Sequence, residues 1–481
     1  MGKRVPMRDR LDAIVGEGLD RAVRGHHRRR LSRIGQVHAL DAPAAAWASG
    51  EPPPRDGNAV DVLVDGAEAL PAIAEAIAGA RSNVHLAGWH FAPHFQLVER
   101  GASLRELLAE AAERVPVRVL AWAGAPLPLF HPDRKEVRRD FELLAGGTRI
   151  RYALDARERP MHCHHEKLVI VDGEVAFVGG IDLTTLQGDR FDTCAHPARG
   201  ASGWHDATAR LRGPAVADVA AHFLLRWREV TGEQLAPPEP APHTGDVTVQ
   251  VVRTVPEKVY DALPAGDFRI LEAYLAAIRS AEHYIYLESQ FLWSPEIVEE
   301  LSKKLNDPPR DAFRLVVLLP ARPNNGQDDT RGQLAQLVAA DGGGGRFLAC
   351  TLYHTGADPP TSVYVHAKIA VVDDRWLTIG SANLNEHSLF NDTEMNLVIA
   401  DEGMATRLRK RLWAEHLDCD EDDLDAPVHE LVDGRWRPRA EEGLARLREG
   451  RPLAHRLTRL PHVSRRSKRL LGPVNGLLVD G

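Results

Sequence analysis

The chain has 481 residues, enough for two or three domains with cores of their own, and 44% of them are hydrophobic, as is typical of globular proteins. No stretch approaches the ~18 uninterrupted apolar residues of a membrane-spanning helix, and no apolar segment of a signal peptide follows the basic N-terminus. Four cysteines without regular spacing favour a reduced, cytoplasmic protein over a disulfide-linked one.

The charge is distributed unevenly along the chain. The net charge is −8, but residues 1–36 and 426–481 each carry +6, which leaves −20 for residues 37–425. A body this acidic is a poor surface for nucleic acid. The basic ends are suited to an anionic membrane or to RNA, although solvated termini more commonly explain such runs. An apolar stripe with basic flanks over residues 8–24 is open to two interpretations, a membrane contact or packing on the body.

Helical and strand-like segments alternate along the body. In its first part, spacing predicts helices over residues 67–80 and 104–112, with strands over residues 84–89 and 115–120. In its second part the same order recurs, with helices near 271–280 and 297–305 and strands over 284–287 and 315–319. Such alternation predicts an α/β fold in which helices cover both faces of a mostly buried sheet.

A short motif lies on an apolar run in each part. His165, Lys167 and Asp172 form an H-x-K-x4-D string, which recurs 201 residues later as His366, Lys368 and Asp373. The same offset aligns residues on both sides of the motif, including Ile77 with Ile278, Gly179 with Gly380 and Asp182 with Asn383. A constant offset over about 100 residues indicates duplication.

The proline-rich segment 236–242 separates the two copies, because it continues neither a helix nor a strand. We therefore predict five parts. They are a basic N-terminal extension (1–56), a first half (57–234), a linker (235–245), a second half (246–425) and a basic C-terminal tail (426–481). Two similar α-β-α sandwich halves, related by a pseudo-twofold axis, are expected to build a single active site at their interface.

The motif residues are suited to cleavage of a phosphodiester. Residues two apart on a strand face the same way, so His165 shares a face with Lys167, and His366 with Lys368. Phosphodiester cleavage needs a nucleophile, a proton donor for the leaving alkoxide and positive charge on the non-bridging oxygens. Because histidine titrates near pH ~6.5, one neutral and one protonated imidazole can coexist at neutral pH.

The motif aspartates are expected to be structural. Asp172 and Asp373 lie an odd number of residues from their histidines and lysines, so they point to the opposite side of a regular strand. Asp172-Gly173 also has the composition of a hairpin turn.

Residues that follow each motif are candidates to contact the ligand or the imidazoles. The small residues Gly180 and Ser381 let the backbone approach a ligand, and Ser381 and Asn383 can donate to phosphate oxygens. Asp192 and Glu394, 27 and 28 residues after their histidines, are candidates to hold an imidazole tautomer. No metal site is predicted at His162-Cys163-His164-His165, because alternate residues of a strand diverge.

Over about residues 60–420 these strings resemble the phospholipase D superfamily whose members carry two H-x-K-x4-D motifs. Several segments are closer to phospholipase D proper than to its nuclease relatives. They are Ala87-Gly88-Trp89, residues 177–183 followed by Arg190-Phe191-Asp192, Gly203-Trp204-His205-Asp206, residues 285–291, residues 365–385 and Thr393-Glu394.

The resemblance implies a covalent phosphohistidine intermediate on His165, with His366 protonating the leaving alcohol. It implies that Lys167, Lys368 and Asn383 bind the phosphate. It further implies that Glu394 orients His366 and that no metal or other cofactor is needed.

Substrate-binding positions also follow from the resemblance, with two departures from the family pattern. The positions are Asn383, Ser381, Gly180, Asp182, Trp89 and Gln290. The departures are Ser289 in place of the family's asparagine and Glu386-His387 where relatives often carry a basic residue.

The function that the sequence favours is hydrolysis of the distal phosphodiester bond of glycerophospholipids such as phosphatidylcholine, with transfer to alcohols as a further capacity. The first alternative is a cardiolipin synthase-type phosphatidyltransferase, whose usual N-terminal membrane helices are not found in this sequence. A nuclease is disfavoured by the acidic body, and a non-catalytic membrane protein by two intact motifs. The expected partner is a phospholipid surface at the inner membrane face, without nucleic acid, and the chain is expected to be a cytoplasmic monomer.

Overall fold

The computed structural model describes residues 7–127, 131–159, 162–184, 190–197, 203–324 and 327–460. Its α-helices are α1 (Met7–Arg33), α2 (Asp65–Ala78), α3 (Leu104–Ala112), α4 (Arg134–Ala145), α5 (Val216–Thr231), α6 (Arg269–Ser280), α7 (Pro295–Asn306), α8 (Gln327–Asp341), α9 (Glu402–Leu417), α10 (Val428–Leu431) and α11 (Arg437–Arg448). Short 3₁₀ segments at Val37–Ala39 and Glu421–Leu424 and π-helical turns at His387–Asn391 and Val432–Trp436 complete the helical part.

The strands run from one end of the chain to the other. They are β1 (Arg55–Val64), β2 (Val84–Gly88), β3 (Val117–Trp122), β4 (Arg151–Asp155), β5 (Leu168–Val171), β6 (Val175–Gly179), β7 (Trp204–His205), β8 (Ala207–Arg212), β9 (Val247–Val255), β10 (Asp267–Phe268), β11 (Tyr284–Glu288), β12 (Arg314–Leu318), β13 (Phe347–Leu352), β14 (Tyr364–Val365), β15 (Ile369–Val372), β16 (Trp376–Gly380), β17 (Glu394–Ile399) and β18 (Leu457–Arg459).

Most of these strands form one mixed sheet whose centre is the antiparallel pair of β1 and β9. Outward from β1 the order is β8, β6, β5, β2, β3 and β4; outward from β9 it is β17, β16, β15, β11, β12, β13 and then β18. With β1 matched to β9 and β2 to β11, the two orders correspond strand by strand, and β18 is an addition at one edge. The mixed α/β fold is thus confirmed, whereas the pseudo-twofold axis stays a prediction.

Helices cover both faces of the sheet. In β3, Val119 packs with α2 and α3 residues such as Leu70 and Leu108, whereas the next residue, Leu120, belongs to a cluster with Phe223 of α5. Successive residues of a strand face opposite sides, so these clusters lie on opposite faces. The cluster that contains Phe223 extends into the second half, because Trp413 of α9 belongs to it. The core is therefore continuous across the two halves.

The motif aspartates fix the start of a central strand in each half. The Asp172 carboxylate accepts hydrogen bonds from the backbone N–H groups of Arg81, Ser82 and Asn83 at 2.6–3.0 Å, just before β2. The Asp373 carboxylate accepts from residues 282–284 before β11 in the same way, at 2.7–2.8 Å. Asp172 has a positive φ of 59°, as the turn between β5 and β6 requires. Both aspartates thus have the structural role that was expected.

The segments predicted as a basic extension and a basic tail are partly folded onto the second half, which corrects that interpretation. Leu31 and Leu40 are buried in the core of the second half. Strand β18 pairs with β13, and Trp436 is fully buried. The free energy gained by burying the apolar side chains at these positions keeps the segments packed, although basic residues flank them. The side chains of residues 7–16 and all of residues 461–481 lie outside the description. Across the described helices, none has the length and apolar character needed to cross a bilayer.

Candidate active site

Each motif histidine is held by a carboxylate from the opposite half. His165 Nδ1 lies 2.9 Å from Glu394 Oε1, and its backbone N–H donates to Thr393 O at 2.9 Å. His366 Nδ1 lies 2.7 Å from Asp206 Oδ2, and its backbone N–H donates to His205 O at 2.8 Å. All four side chains of the two pairs are buried. A carboxylate that accepts the Nδ1–H fixes the tautomer, so that Nε2 of each imidazole is left for chemistry.

This arrangement corrects two predictions. Glu394 orients His165 and not His366, and Asp192 contacts neither motif histidine, since its Oδ2 lies 3.1 Å from His196 Nδ1. The counterpart of Glu394 is Asp206, 188 residues earlier, whereas the constant offset of 201 leads to the neighbourhood of Asp192. The segment from histidine to carboxylate spans 41 residues in the first half and 28 in the second, because more residues separate β6 from β8 than separate β16 from β17.

The two motif lysines lie next to their histidines. Lys167 Nζ donates to His165 O at 2.7 Å and lies 3.3 Å from Asp182 Oδ1. Lys368 Nζ donates to His366 O and lies 3.5 Å from Gln290 Oε1. Each ammonium group keeps further N–H bonds that can reach a phosphate oxygen. The two halves thus place one histidine and one lysine each at the site.

The neighbours of the lysines differ between the halves. Asn383 Nδ2 lies 3.4 Å from Gln290 Oε1, and Gln290 Nε2 donates to Tyr364 Oη at 2.8 Å. The buried Asn383 Oδ1 has no hydrogen-bond partner within the described part of the chain. Asp182 takes the place of Asn383 in the first half, and its carboxylate accepts from Lys167 instead of donating to a ligand. Asn383 is therefore a better hydrogen-bond donor to phosphate than Asp182.

Three predicted ligand contacts have other roles in the structure. Ser381 Oγ donates to Glu394 and so helps to hold the partner of His165. A Cβ on Gly180 would lie 2.2 Å from Asp206 Oδ1, so this glycine leaves room for the partner of His366. Trp89 is buried and stacked on Trp122 at 6.3 Å between ring centroids, in a small cluster with Ala125 and Cys163. Trp89 has a place in the core, and its contact with a ligand stays a prediction.

The electrostatics of the site favour an anionic ligand. Burial, followed by the positive charges of Lys368, Arg190 and Lys167, holds the pKa of His366 well below its usual range. Burial lowers the pKa of Lys368 to about 7 and raises the pKa of Asp206 to about 6. Burial and the nearby positive charges therefore disfavour protonation of His366 until a negatively charged ligand binds. A phosphodiester supplies that charge and would raise the pKa of His366.

Several residues around the histidines have roles that the sequence did not reveal. Asp206 belongs to the segment Gly203-Trp204-His205-Asp206, which resembles phospholipase D, but only its contact with His366 shows what it does. Ser388 Oγ donates to Glu394 Oε1 at 2.6 Å. The Trp204 and His366 rings make a T-shaped contact with centroids 4.5 Å apart, and the Arg190 guanidinium carbon lies over the Trp204 ring, 3.6 Å from its centroid. A gapped alignment of His205-Asp206 with Thr393-Glu394 was the signal available in the sequence.

The three neighbouring histidines of the first motif have separate partners. His162 Nδ1 lies 3.1 Å from His387 Nδ1 and 3.4 Å from Asp392 Oδ1. His164 Nδ1 lies 2.8 Å from the hydroxyl of Thr393, and its Nε2 lies 3.2 Å from Asp155 Oδ1. The histidines at 162, 164 and 165 therefore have different partners, although they precede β5 and do not lie on a strand as the prediction assumed.

Comparisons with known proteins find a matching family model and relatives that are named phospholipase D. Residues 274–415 match the family model described as cardiolipin synthase, PLD-like domain. Phospholipase D A of Dictyostelium discoideum is 26% identical over 76% of this chain and 36% of its own length. Phospholipase D1 of Schizosaccharomyces pombe is 26% identical over 81% of this chain and 37% of its own length, and phospholipase D2 of Bos taurus is 25% identical over 78% and 52%. The chain thus spans about a third to a half of the length of these curated relatives.

The fold is shared with a solved structure. The crystal structure of phosphatidylserine synthase from Haemophilus influenzae Rd KW20 superposes with a TM-score of 0.54 at 12% identity, over 87% of this chain and 99% of that one. The family model and the curated relatives show that the chain is similar to the phospholipases D and, over residues 274–415, to a PLD-like domain, as its motifs predicted.

Proposed function

We propose that this relative of the phospholipases D is a phosphodiesterase that cleaves the distal phosphodiester bond of glycerophospholipids such as phosphatidylcholine. One observation carries the proposal: two motif histidines, each held through Nδ1 by a carboxylate of the opposite half at 2.7–2.9 Å, with a motif lysine beside each. Such a pair supplies a nucleophile, an acid and phosphate ligands in one buried place.

In the first step, His165 Nε2 attacks the phosphorus and a P–N bond forms. The bond from phosphorus to the head-group oxygen breaks, and His366 gives its Nε2 proton to the departing alkoxide. Lys167, Lys368 and Asn383 donate to the non-bridging oxygens, where negative charge accumulates. The products of this step are the free head-group alcohol and a phosphatidyl group bound to His165.

In the second step, the now neutral His366 takes a proton from a water molecule, and the water oxygen attacks the phosphorus. The P–N bond breaks, which releases phosphatidate and returns His165 to its neutral form. His366 is again protonated, so the cycle closes without net gain or loss of protons on the pair. An acceptor alcohol in place of water would give transphosphatidylation by the same atoms.

The lowered pKa of His366 fits a proton donor that is loaded together with its substrate. In the free site, burial and the charges of Lys368 and Arg190 disfavour the imidazolium. A bound phosphodiester anion offsets those charges and raises the pKa of His366. Proton uptake would therefore accompany substrate binding, and the acid would be ready when the P–O bond begins to break.

A phosphatidyltransferase is the second candidate. The family model that matches residues 274–415 is described as cardiolipin synthase, and the solved structure with the same fold is a phosphatidylserine synthase. Both candidates share the phosphohistidine and differ only in the acceptor of the second step. The expected place of work in either case is a phospholipid surface, which the chain would meet peripherally.

The test is release of choline and phosphatidate from phosphatidylcholine vesicles, with and without glycerol. His165→Ala and His366→Ala are expected to abolish release, while His85→Ala, a buried histidine whose ring stacks on Phe223, should retain it. A glycerol-dependent phosphatidyl product would favour the transferase. An inert wild-type chain, or release that survives in either motif variant, would refute the proposal; cleavage of single-stranded DNA alone would indicate a nuclease.

A further inference from the structure

A second group of ionisable side chains lies next to the candidate active site and takes no part in the proposed chemistry. We call it the buried cluster, and its members are Asp65, His196, His205 and Glu415. Asp65 begins α2, His205 belongs to β7, and Glu415 lies on α9. The cluster therefore joins three positions of the first half to one of the second. The side chains of the two histidines and Asp65 are at most 1% exposed, and that of Glu415 is 6% exposed.

The distances between the cluster atoms approach the edges of a metal coordination tetrahedron. His196 Nε2 lies 2.9 Å from Glu415 Oε1 and 3.7 Å from Asp65 Oδ2. His205 Nδ1 lies 3.2 Å from Glu415 Oε1 and 3.2 Å from Asp65 Oδ1. Four ligands at the usual Zn–N and Zn–O lengths are about 3.3–3.4 Å apart in a tetrahedron. The two Asp65 distances involve different oxygens, and one ligand atom from each of the four side chains lies within 4.8 Å of the other three.

Two of these atoms are buried without hydrogen bonds. Asp65 Oδ2 and His205 Nδ1 have no hydrogen-bond partner among the residues that the structure describes. Buried polar atoms of this kind are rare in native proteins, and each one calls for an explanation. Both atoms are directed toward the other cluster members, so an ion placed between the four side chains would satisfy both.

Each cluster histidine also has the outer partner that metal-bound imidazoles usually have. His196 Nδ1 lies 3.1 Å from Asp192 Oδ2, and His205 Nε2 lies 2.9 Å from Glu288 Oε2. A carboxylate on the far ring nitrogen fixes the tautomer that offers a lone pair to the metal. Gly203 makes the first of these contacts possible, because a Cβ there would lie 2.1 Å from Asp192 Oδ2. Asp192 thus orients an imidazole, although not that of a motif histidine.

Charge gives a further reason for a cation. Four buried carboxylates meet here, those of Asp65, Glu415, Asp192 and Glu288. Their histidine partners in the ion pairs of the described residues are His196, His205 and His416. Carboxylates gathered in a buried place are costly without positive charge beside them, so the group attracts a cation.

We propose that the buried cluster binds one divalent transition metal ion, for which Zn²⁺ is the best fit, as a structural site. Two imidazole nitrogens and two carboxylate oxygens suit Zn²⁺, whereas Ca²⁺ and Mg²⁺ prefer oxygen ligands alone. The ion would tie α9 of the second half to β7, which carries His205, and to the start of α2. Since His205 O accepts from His366 N and Asp65 Oδ1 accepts from Asp206 N at 3.0 Å, the ion would also hold the His366–Asp206 pair in place.

The test is the metal content of the tag-free full chain, grown with added zinc and dialysed against a mild chelator. We expect about one zinc ion per chain, with an X-ray absorption spectrum that shows two imidazole nitrogens and two oxygens at about 2.0–2.2 Å. His196→Gln and Glu415→Gln should reduce the zinc content to less than about a tenth of an ion. His85→Gln, which changes a buried histidine outside the cluster, should leave it unchanged.

Zinc content in these variants is measured without substrate, so the result is independent of the proposed lipid cleavage. If the variants do not fold, the X-ray absorption spectrum of the wild-type chain alone tests whether two nitrogens and two oxygens bind the zinc. A wild-type chain that retains no metal after growth with zinc would overturn the proposal and leave the cluster as an ion-pair network. A spectrum with other ligands, or folded variants that retain the zinc, would also overturn it.

Discussion

Asp206→Asn is the substitution that most directly tests the exchange of carboxylates between the halves. Asp206 is not part of either motif, and its Oδ2 lies 2.7 Å from His366 Nδ1 in a buried place. Asparagine keeps the size of the side chain but removes the negative charge that stabilises the imidazolium of His366. The protonated form of His366 is the proposed acid, so the variant should slow departure of the head group.

The size of the effect follows from the contact that is weakened. A hydrogen bond to a charged group contributes about 1.5–3 kcal/mol. With 1.36 kcal/mol for each factor of ten, loss of this contribution predicts a fall in kcat of about 10- to 150-fold. The assay is steady-state hydrolysis of two substrates, phosphatidylcholine and a phosphatidyl ester of p-nitrophenol. The nitrophenolate ion departs without protonation, so Asp206→Asn should slow the activated ester far less than phosphatidylcholine.

Glu394→Gln is the matched comparison in the other half. Its Oε1 lies 2.9 Å from His165 Nδ1, and His165 is the proposed nucleophile, so this variant should slow both substrates alike. Asp172→Asn serves as a control, because this motif aspartate contacts the backbone of residues 81–83 and not a histidine. Equal loss on both substrates with Asp206→Asn, or recovery of Glu394→Gln on the activated ester, would refute the assigned roles.

Three further predictions rest on other contacts. Gly180→Ala should lower kcat about as much as Asp206→Asn, because the added Cβ would lie 2.2 Å from Asp206 Oδ1; a rate equal to wild type in the same vesicle assay would contradict this. Arg190→Gln removes a positive charge that, after burial and Lys368, lowers the pKa of His366, so the alkaline limb of the pH profile of kcat/KM should move to higher pH; a limb that stays or moves down would be inconsistent. Although burial opposes it, backbone N–H donors lower the pKa of Asp172, so its stabilising effect is present above its unfolded pKa of about 3.9 and is lost as the pH falls through the folded value. Urea unfolding should therefore show Asp172→Asn to be about 1 kcal/mol less stable than wild type at pH 7 and nearly equal near pH 3, and a constant difference would count against the contact.

Much of the fold was predictable because burial imposes a periodic pattern on helices and strands. The helix predicted over 104–112 is α3 (Leu104–Ala112), and the strand predicted over 84–89 is β2 (Val84–Gly88). The predicted turn at Asp172-Gly173 joins β5 to β6, with positive φ at both residues. Patterns of this kind are local, so they can be read along the chain without knowledge of its tertiary structure.

The termini show where such local reading fails. Basic residues suggested a solvated extension and tail, but a few apolar side chains among them, such as Leu40 and Trp436, decide where the segments lie. Charged side chains can remain at the surface of a packed segment, so net charge does not report on burial.

The chemistry of the site could be predicted from the sequence, because each motif carries its histidine and lysine two residues apart directly before an apolar strand, although β5 and β15 themselves begin only after the lysines, at Leu168 and Ile369. The partners of the histidines were decided by the tertiary structure. Glu394 and Asp206 reach them from the opposite half, and the 41-residue and 28-residue segments that carry these carboxylates differ by the length of a loop. A loop has no periodic pattern that fixes its register, so only the pairing of strands across the centre of the sheet determines which carboxylate meets which imidazole.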